Sequence, residues 1–261
     1  MPDLQSFSDT FLRLFQQHRF AHAGNQPIDS LTLQDAYAVQ QMVIDARTGS
    51  GEQVVGYKVG CTSKAIRQQF GLSEPICGRL MAPHITWGDA VLDHSDFFDC
   101  AVEPEFVLMI ARDLVDEVDD EDDLTAAIDV VSPGIELHNY RFWFGEPTSQ
   151  ELVASNGIHA GLVVGDQKTS PGSFDWDEEE VGIFIGDEQV ASGLGSDIMG
   201  GPMKSLCWLV NHLVRRGEYL RAGQLVIPGS ATRLVPIEAD DQVSARFAHL
   251  GQVNARFTPD A

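Results

Sequence analysis

Apolar side chains recur at helical spacing over the first fifth of the chain, then switch to alternation or short unbroken runs. Leu4, Phe7, Phe11, Leu14 and Phe15 share one helical face, which predicts an amphipathic helix from Leu4 to Arg19. A polar loop with Asn25, Pro27 and Asp29 follows. Thr32 is placed to cap a second helix, with Asp35 as its partner three residues on. That helix carries Leu33, Tyr37, Met42 and Val43 and stops at Gly49-Ser50-Gly51. Residues 1–53 are therefore expected to form a helical cap on a β-rich core, residues 54–261, the two making one continuous unit.

The core opens with Val54–Gly60, a strand that holds Lys58 in an apolar run. A short helix from Ser63 to Phe70 and a loop around Glu74-Pro75-Ile76-Cys77-Gly78 come next. Ala101 to Ile110 is a strand, because its second half is an unbroken apolar run of strand length. The acidic run Asp116-Glu117-Val118-Asp119-Asp120-Glu121-Asp122-Asp123 lacks the spacing of a calcium loop and is expected to be a solvated turn before a helix, Leu124–Ile128. Ile135-Glu136-Leu137 is a short strand-like segment, and Ala154 to Gly165 is a loop entering a strand at Ala160–Val164. Val181–Ile185 and Gln189–Ala191 predict a hairpin about Gly186-Asp187. Pro202 starts a helix through Leu206, Leu209, Val210 and Leu213 that ends at Arg215-Arg216 before Gly217. Strands near Leu225–Ile227, Leu234–Ile237, Val243–Phe247 and Val253–Phe257 complete the pattern. A helical cap followed by an antiparallel-rich β core, with few βα units, predicts the α+β class.

Composition narrows the functions open to this chain. Its 261 residues suffice for a sizeable core in one or two domains. A net charge of −22 argues against nucleic acid and against anionic membrane surfaces as partners. No apolar run approaches the ~20 residues of a membrane span. Met1-Pro2-Asp3-Leu4-Gln5-Ser6 lacks a basic stretch followed by a hydrophobic run, so no signal peptide is expected and the cytoplasm is the expected compartment. Cys61, Cys77, Cys100 and Cys207 show no zinc spacing and are expected to be small apolar residues in a reducing environment.

Chemistry concentrates on three glutamates. In a strand, residues two apart share a face, so Glu103 and Glu105 project together while Pro104, Phe106 and Leu108 point away. Adjacent carboxylates resist burial unless a proton or a cation lies between them. Glu136 alternates with Ile135 and Leu137 and supplies a third carboxylate. An all-oxygen set selects Mg²⁺ or Mn²⁺ over zinc and copper, and three protein ligands leave octahedral positions for water or a chelating 2-oxo or 2-hydroxy acid. Lys58 is one of only four lysines, and is either an edge-strand lysine that snorkels to water or a functional cation. His138 shares a side with Glu136, and is expected to be satisfied or half-exposed rather than catalytic. Glu103 and Glu105 could alternatively be an acid/base pair for glycoside hydrolysis, being about 7 Å apart, but no aromatic sugar cleft accompanies them. No Gly-x-Ser-x-Gly, Walker loop or dinucleotide fingerprint is present.

These stretches resemble the 2-keto-4-pentenoate hydratase branch of the fumarylacetoacetate hydrolase superfamily. The resemblance is carried by Gly56-Tyr57-Lys58-Val59-Gly60 with Thr62-Ser63, by Val102-Glu103-Pro104-Glu105-Phe106, and by Ile135-Glu136. Ala154-Ser155-Asn156 through Gly165, Trp208-Leu209-Val210-Asn211, Leu220-Arg221-Ala222-Gly223 and Gly229-Ser230 extend it from about Gly56 to the C-terminus. It implies a rolled, mixed β core in a homo-oligomer. It also implies Mg²⁺ or Mn²⁺ on Glu103, Glu105 and Glu136, Lys58 at the active site, and Gly229 and Ser230 holding the substrate carboxylate. The implied reaction is hydration of a 2-hydroxy-2,4-dienoate to a 4-hydroxy-2-oxo acid in catabolism of aromatic compounds. Decarboxylation of 4-oxalocrotonate or C–C hydrolysis of acylpyruvate-like acids are the alternatives at the same site, and a non-catalytic keto-acid-binding subunit is an alternative of another class. The chain departs from the family where Ile76 replaces an acid, Ser155 replaces Asp, and His138-Asn139-Tyr140-Arg141 replaces Val-Asp-Ser-Arg.

Overall fold

The computed structural model describes residues 2–17, 28–119, 121–140 and 147–259; Arg19, Asn25, Pro27, Asp120 and Arg141, named above, lie outside them. Helices α1 (Leu4–Gln17) and α2 (Leu33–Gly49) pack against each other as a cap. Thr32 and Asp35 form the expected reciprocal capping box: Thr32 Oγ1 accepts from Asp35 N, and Asp35 Oδ2 accepts from Thr32 N. Phe7, Phe11 and Leu14 bury against Ala36, Val39 and Val43, in a cluster shared with Ile76, Leu152, Val153 and Ile158. The cap therefore shares its core with segments that line the site.

The chain continues through β1 (Val54–Gly60), α3 (Lys64–Gln69), β2 (Ile76–Met81), β3 (Ile85–Trp87), β4 (Ala90–Asp93) and β5 (Cys100–Ile110). Then come α4 (Glu121–Thr125), β6 (Ile128–Asn139), α5 (Ser149–Ala154), β7 (His159–Val164), β8 (Glu180–Ile185) and β9 (Glu188–Leu194). Last are α6 (Pro202–Arg215), β10 (Leu225–Ile227), β11 (Val235–Pro236), β12 (Gln242–Phe247) and β13 (Gly251–Thr258). One sheet runs β2-β1-β10-β5-β6-β7-β3, with β11 also on β5; the other runs β4-β13-β12-β8-β9. The pairs β1–β10, β3–β7 and β4–β13 are parallel and the rest antiparallel, so the α+β class holds with a mixed sheet.

The main core joins one face of β5 and β6 to the second sheet and α6, with Val102, Phe106, Leu108 and Ile135 against Val243, Ala245, Val253 and Leu206. The rings of Phe106 and Phe247 meet edge-on at 5.2 Å. The opposite face of β5 carries Val107 into a smaller cluster with Leu80, Leu162 and Ile227, and the glutamates lie along that same face.

The first sheet is rolled. Asn156, just before β7, clasps β2 from the far side: its Oδ1 accepts from Arg79 N at 2.6 Å and its Nδ2 donates to Arg79 O at 2.9 Å. Asn156 adopts a left-handed conformation (φ 63°), which asparagine tolerates better than most residues.

Several local expectations shift. Ile76-Cys77-Gly78 opens β2 instead of a loop, because pairing with β1 outweighs the weak strand preference of a run containing Gly78 and Arg79. Buried Arg79 is compensated by Glu218 at 2.7 Å. The helix expected over Leu124–Ile128 is instead α4, and Ile128 starts β6. Pro133-Gly134 disguises that long strand, yet Pro133 pairs with Phe106, and a Cβ on Gly134 would lie 2.5 Å from Val107 Cγ2. The strand expected over Leu234–Ile237 narrows to β11, while β3, β4 and α5 are too short to register as periodic patterns.

Candidate active site

The register of β5 against β6 sets Glu103 opposite Glu136, with Glu105 one pleat further along the same face. Lys58 comes from β1, three strand positions from β6. In a flat sheet that separation would be about 14 Å; the roll closes it. Lys58 Nζ lies 2.7 Å from Glu136 Oε1 and donates to Gly157 O at 3.2 Å. Its side chain runs between two glycines: a Cβ on Gly78 would meet Lys58 Cγ at 2.9 Å, and one on Gly157 would meet Nζ at 3.3 Å. The snorkelling alternative is overturned, since Lys58 is only 3% exposed and points inward.

Two histidines complete the surroundings of Glu136. His159, at the first position of β7, has Nδ1 2.7 Å from Glu136 Oε1. His138 Nε2 lies 3.1 Å from Glu103 Oε2 and 3.4 Å from Glu136 Oε2. His138 is neither half-exposed nor satisfied: it is 2% exposed, and neither ring nitrogen is aligned for a hydrogen bond among the described residues. A bulge between Leu137 and His138 in the pairing with β7 brings His159 next to Glu136. Sequence reasoning missed His159, because no local pattern announces a bulge register.

The charges are strongly coupled. Burial pushes the Glu105 carboxyl well above its usual range, reinforced by Glu136 and Glu103 and only partly opposed by Lys58 and the Gly229 N–H. Burial acts on Glu136 in the same direction, but His138, Lys58 and the hydrogen bond from His159 hold it well below the ordinary value. Burial favours a neutral Lys58, yet Glu136, Glu103 and Glu105 together raise its pKa, so it stays cationic.

Gly229 and Ser230 reach the same place along β5. Gly229 N donates to Glu105 Oε2 at 3.1 Å, which commits that N–H to the carboxylate, and Ser230 bridges to Glu105 through the backbone. The other oxygen, Glu105 Oε1, is buried without a partner among the described residues. Glu103, Glu136 and His138 each offer one donor atom, all within 4.8 Å of one another. An unpartnered buried carboxylate oxygen beside such a group fits a small divalent cation.

A cavity of about 1400 Å³ opens over the group. Lys58, Glu103, His138 and Ser230 line its polar end, and Ile66, Phe70, Ile76, Leu152 and Ile158 give it an apolar wall. Ile76, where the resemblance implies an acid, is part of that wall. Ser155 is buried, with Oγ donating to Leu152 O and accepting from Ile158 N, so it shapes the turn before β7.

Known proteins resemble this chain in sequence and in fold. No family model matches the chain. The 2-hydroxyhexa-2,4-dienoate hydratase of Comamonas testosteroni is 29% identical over 265 aligned residues, covering 99% of this chain and all (100%) of that protein. The 2-keto-4-pentenoate hydratase of Burkholderia vietnamiensis is 32% identical over 231 residues, 85% of each chain. The structure of 4-oxalocrotonate decarboxylase from Pseudomonas putida G7, complexed with magnesium and adipate, superposes with a TM-score of 0.91 at 27% identity, over 97% of both chains. A fumarylacetoacetate hydrolase from Exiguobacterium antarcticum shares the fold alone, with a TM-score of 0.58 at 14% identity over 78% of this chain and 75% of that one. The architecture is thus that of the fumarylacetoacetate hydrolase superfamily. Within it, the chain belongs to the 2-keto-4-pentenoate hydratase family.

Proposed function

We propose that the protein is a Mg²⁺- or Mn²⁺-dependent hydro-lyase that converts 2-hydroxy-2,4-dienoates of the 2-keto-4-pentenoate type to 4-hydroxy-2-oxo acids in aromatic-compound catabolism. The observation that carries this is the convergence of Glu103, Glu105, Glu136 and Lys58 on one face of the rolled sheet, with Lys58 and Glu103 lining the polar end of the cavity and Glu105 and Glu136 buried behind them. The three glutamates would hold the ion, whose Lewis acidity stabilises negative charge on the substrate's 2-oxygen. Ser230 faces the cavity and is placed to hold the substrate carboxylate, while Gly229 keeps Glu105 in position through its N–H. Lys58 adds a fixed positive charge beside the developing enolate and is the group best placed to pass a proton. The net change adds one water: C4 takes the hydroxyl, and C3 and C5 each gain a hydrogen as the 2-hydroxyl becomes a ketone.

Decarboxylation is the second reading, favoured by the likeness to 4-oxalocrotonate decarboxylase. The apolar wall of Ile66, Phe70 and Ile76 suits an alkyl tail better than a second carboxylate, which supports hydration. A homo-oligomer in the cytoplasm is part of the same proposal: the four cysteines are unpaired, as a reducing compartment allows, and no helix among the described residues is long and apolar enough to cross a membrane.

The test is incubation of the purified protein and Mg²⁺ with 2-hydroxypenta-2,4-dienoate and longer-tailed dienoates. The diene absorbance is expected to fall with formation of the 4-hydroxy-2-oxo acid, and Glu105→Gln to abolish the loss. Carbon dioxide release from 4-oxalocrotonate without hydration would favour the second reading. No turnover of any dienoate or of 4-oxalocrotonate by the isolated protein would refute an enzymatic role and favour a keto-acid-binding subunit.

A further inference from the structure

We propose that His138 Nε2 is a fourth protein ligand of the divalent ion, so that this site takes Mn²⁺ or Co²⁺ in preference to Mg²⁺. This rests on the metal site proposed above and specifies its donor set.

The geometry of the donors is already sorted. Glu136 Oε1 is occupied, with Lys58 Nζ and His159 Nδ1 both at 2.7 Å, which leaves Oε2 for an ion. Glu105 Oε2 takes the Gly229 N–H, which leaves Oε1. His138 Nε2 sits 3.1 Å from Glu103 Oε2 and 3.4 Å from Glu136 Oε2. Two donors at cis positions of an octahedron with ~2.1 Å bonds lie about 3.0 Å apart, close to both distances.

A simple ion pair would look different. An imidazolium donating to either carboxylate would aim an N–H along a hydrogen-bond axis, yet neither ring nitrogen is so aligned. The ring is buried, faces the cavity, and points its Nε2 at two carboxylate oxygens without bonding either. An ion among the three atoms satisfies all of them. Glu103, Glu136 and His138 form the group of donors already within 4.8 Å of one another, and Glu105 Oε1, buried beside it, would be drawn in as the fourth, which leaves two positions, the number that a chelating 2-oxo acid uses.

The consequence is selectivity. Imidazole is a poor ligand for Mg²⁺ and a better one for first-row transition ions, with affinity rising from Mn²⁺ to Co²⁺. His138→Val is expected to weaken Mn²⁺ binding at least about tenfold, as loss of metal-supporting groups commonly does, and to change Mg²⁺ binding by no more than about twofold.

The experiment is pulsed electron paramagnetic resonance on the protein loaded with Mn²⁺, alongside calorimetry with Mn²⁺ and Mg²⁺. Directly coordinated nitrogen should appear in the wild type, persist in His159→Gln, and vanish in His138→Val and His138→Gln. Thermal melts check that each variant is folded, and the wild-type spectrum decides the matter even if both His138 variants fail. Bound Mn²⁺ with no nitrogen coupling would overturn the proposal and leave the three-glutamate site standing. Coupling that disappears in His159→Gln alone would overturn it in favour of the other histidine. Absence of Mn²⁺ binding at millimolar concentration would overturn both this proposal and the metal site beneath it.

Discussion

Replacing Lys58 by methionine in the metal-free protein removes a buried ion pair of the site while keeping the aliphatic stem. Lys58 Nζ and Glu136 Oε1 are 2.7 Å apart, with side chains 4% and 1% exposed. At an effective dielectric near 20, opposite charges at that distance attract by about 6 kcal/mol, and desolvation of both groups offsets much of it. Deleting one partner strands the other charge, which costs roughly 3–5 kcal/mol in buried pairs. Glu136 keeps His159 at 2.7 Å and His138 nearby, so the lower end, about 3 kcal/mol, is expected here. For a chain of this size that corresponds to a fall in Tm of roughly 6–12 °C. The assay is a double-mutant cycle of Lys58→Met, Glu136→Gln and the double variant, by urea denaturation in the presence of a chelator. Coupling of about 2–3 kcal/mol is expected, because the double variant leaves neither charge stranded. Additivity within about 0.5 kcal/mol would refute the claim that the two residues act as one buried pair.

Three further outcomes follow from particular residues. Gly229 has φ 115°, and a Cβ there would lie 2.5 Å from Thr62 Cγ2, so Gly229→Ala should cost about 1–3 kcal/mol on denaturation; an unchanged midpoint would contradict that strain. Glu105 has a raised folded pKa, so the metal-free folded state holds a proton that the unfolded chain has lost. Its contribution is therefore present at low pH and declines as pH rises from the ordinary carboxylate value through the folded value. A divalent ion takes the proton's place, so the rise in Tm on adding Mg²⁺ or Mn²⁺ should grow with pH across that window; melting curves from pH 5 to 8 with a flat increment would count against it. Burial pushes the Cys61 and Cys77 thiols up to about 11 and Cys100 up to about 12. At pH 8 roughly one in a thousand or fewer of these thiols is ionised, so a disulfide reagent should react slowly with all three until guanidinium unfolds the chain. Rapid reaction of Cys61 in the folded protein would disprove the shielding.

Much of the site was legible because alternation in a strand is a local rule. Glu103 and Glu105 share a face whichever strands lie beside them, and Phe106 and Leu108 had to occupy the other. The capping box at Thr32 and Asp35 was readable for the same reason, its partners being three residues apart. Strand β6 was readable only in part: Pro133 and Gly134 weaken its local signal, and it exists in full because β5 supplies eleven ladder partners from a distant stretch.

Local pattern along the chain singles out the side chains that could carry the chemistry: two carboxylates on one strand face, a third on another strand, and a lysine in a strand flanked by glycines. Their meeting depends on how distant segments pack. The roll of the sheet brings Lys58 across three strand positions to Glu136, and Asn156 fastens the two sides of that roll. The bulge after Leu137 sets His159 on the same carboxylate, and His138 is left facing the carboxylates unpaired. Curl and bulge register arise from packing between segments far apart in the chain, so no local pattern records them.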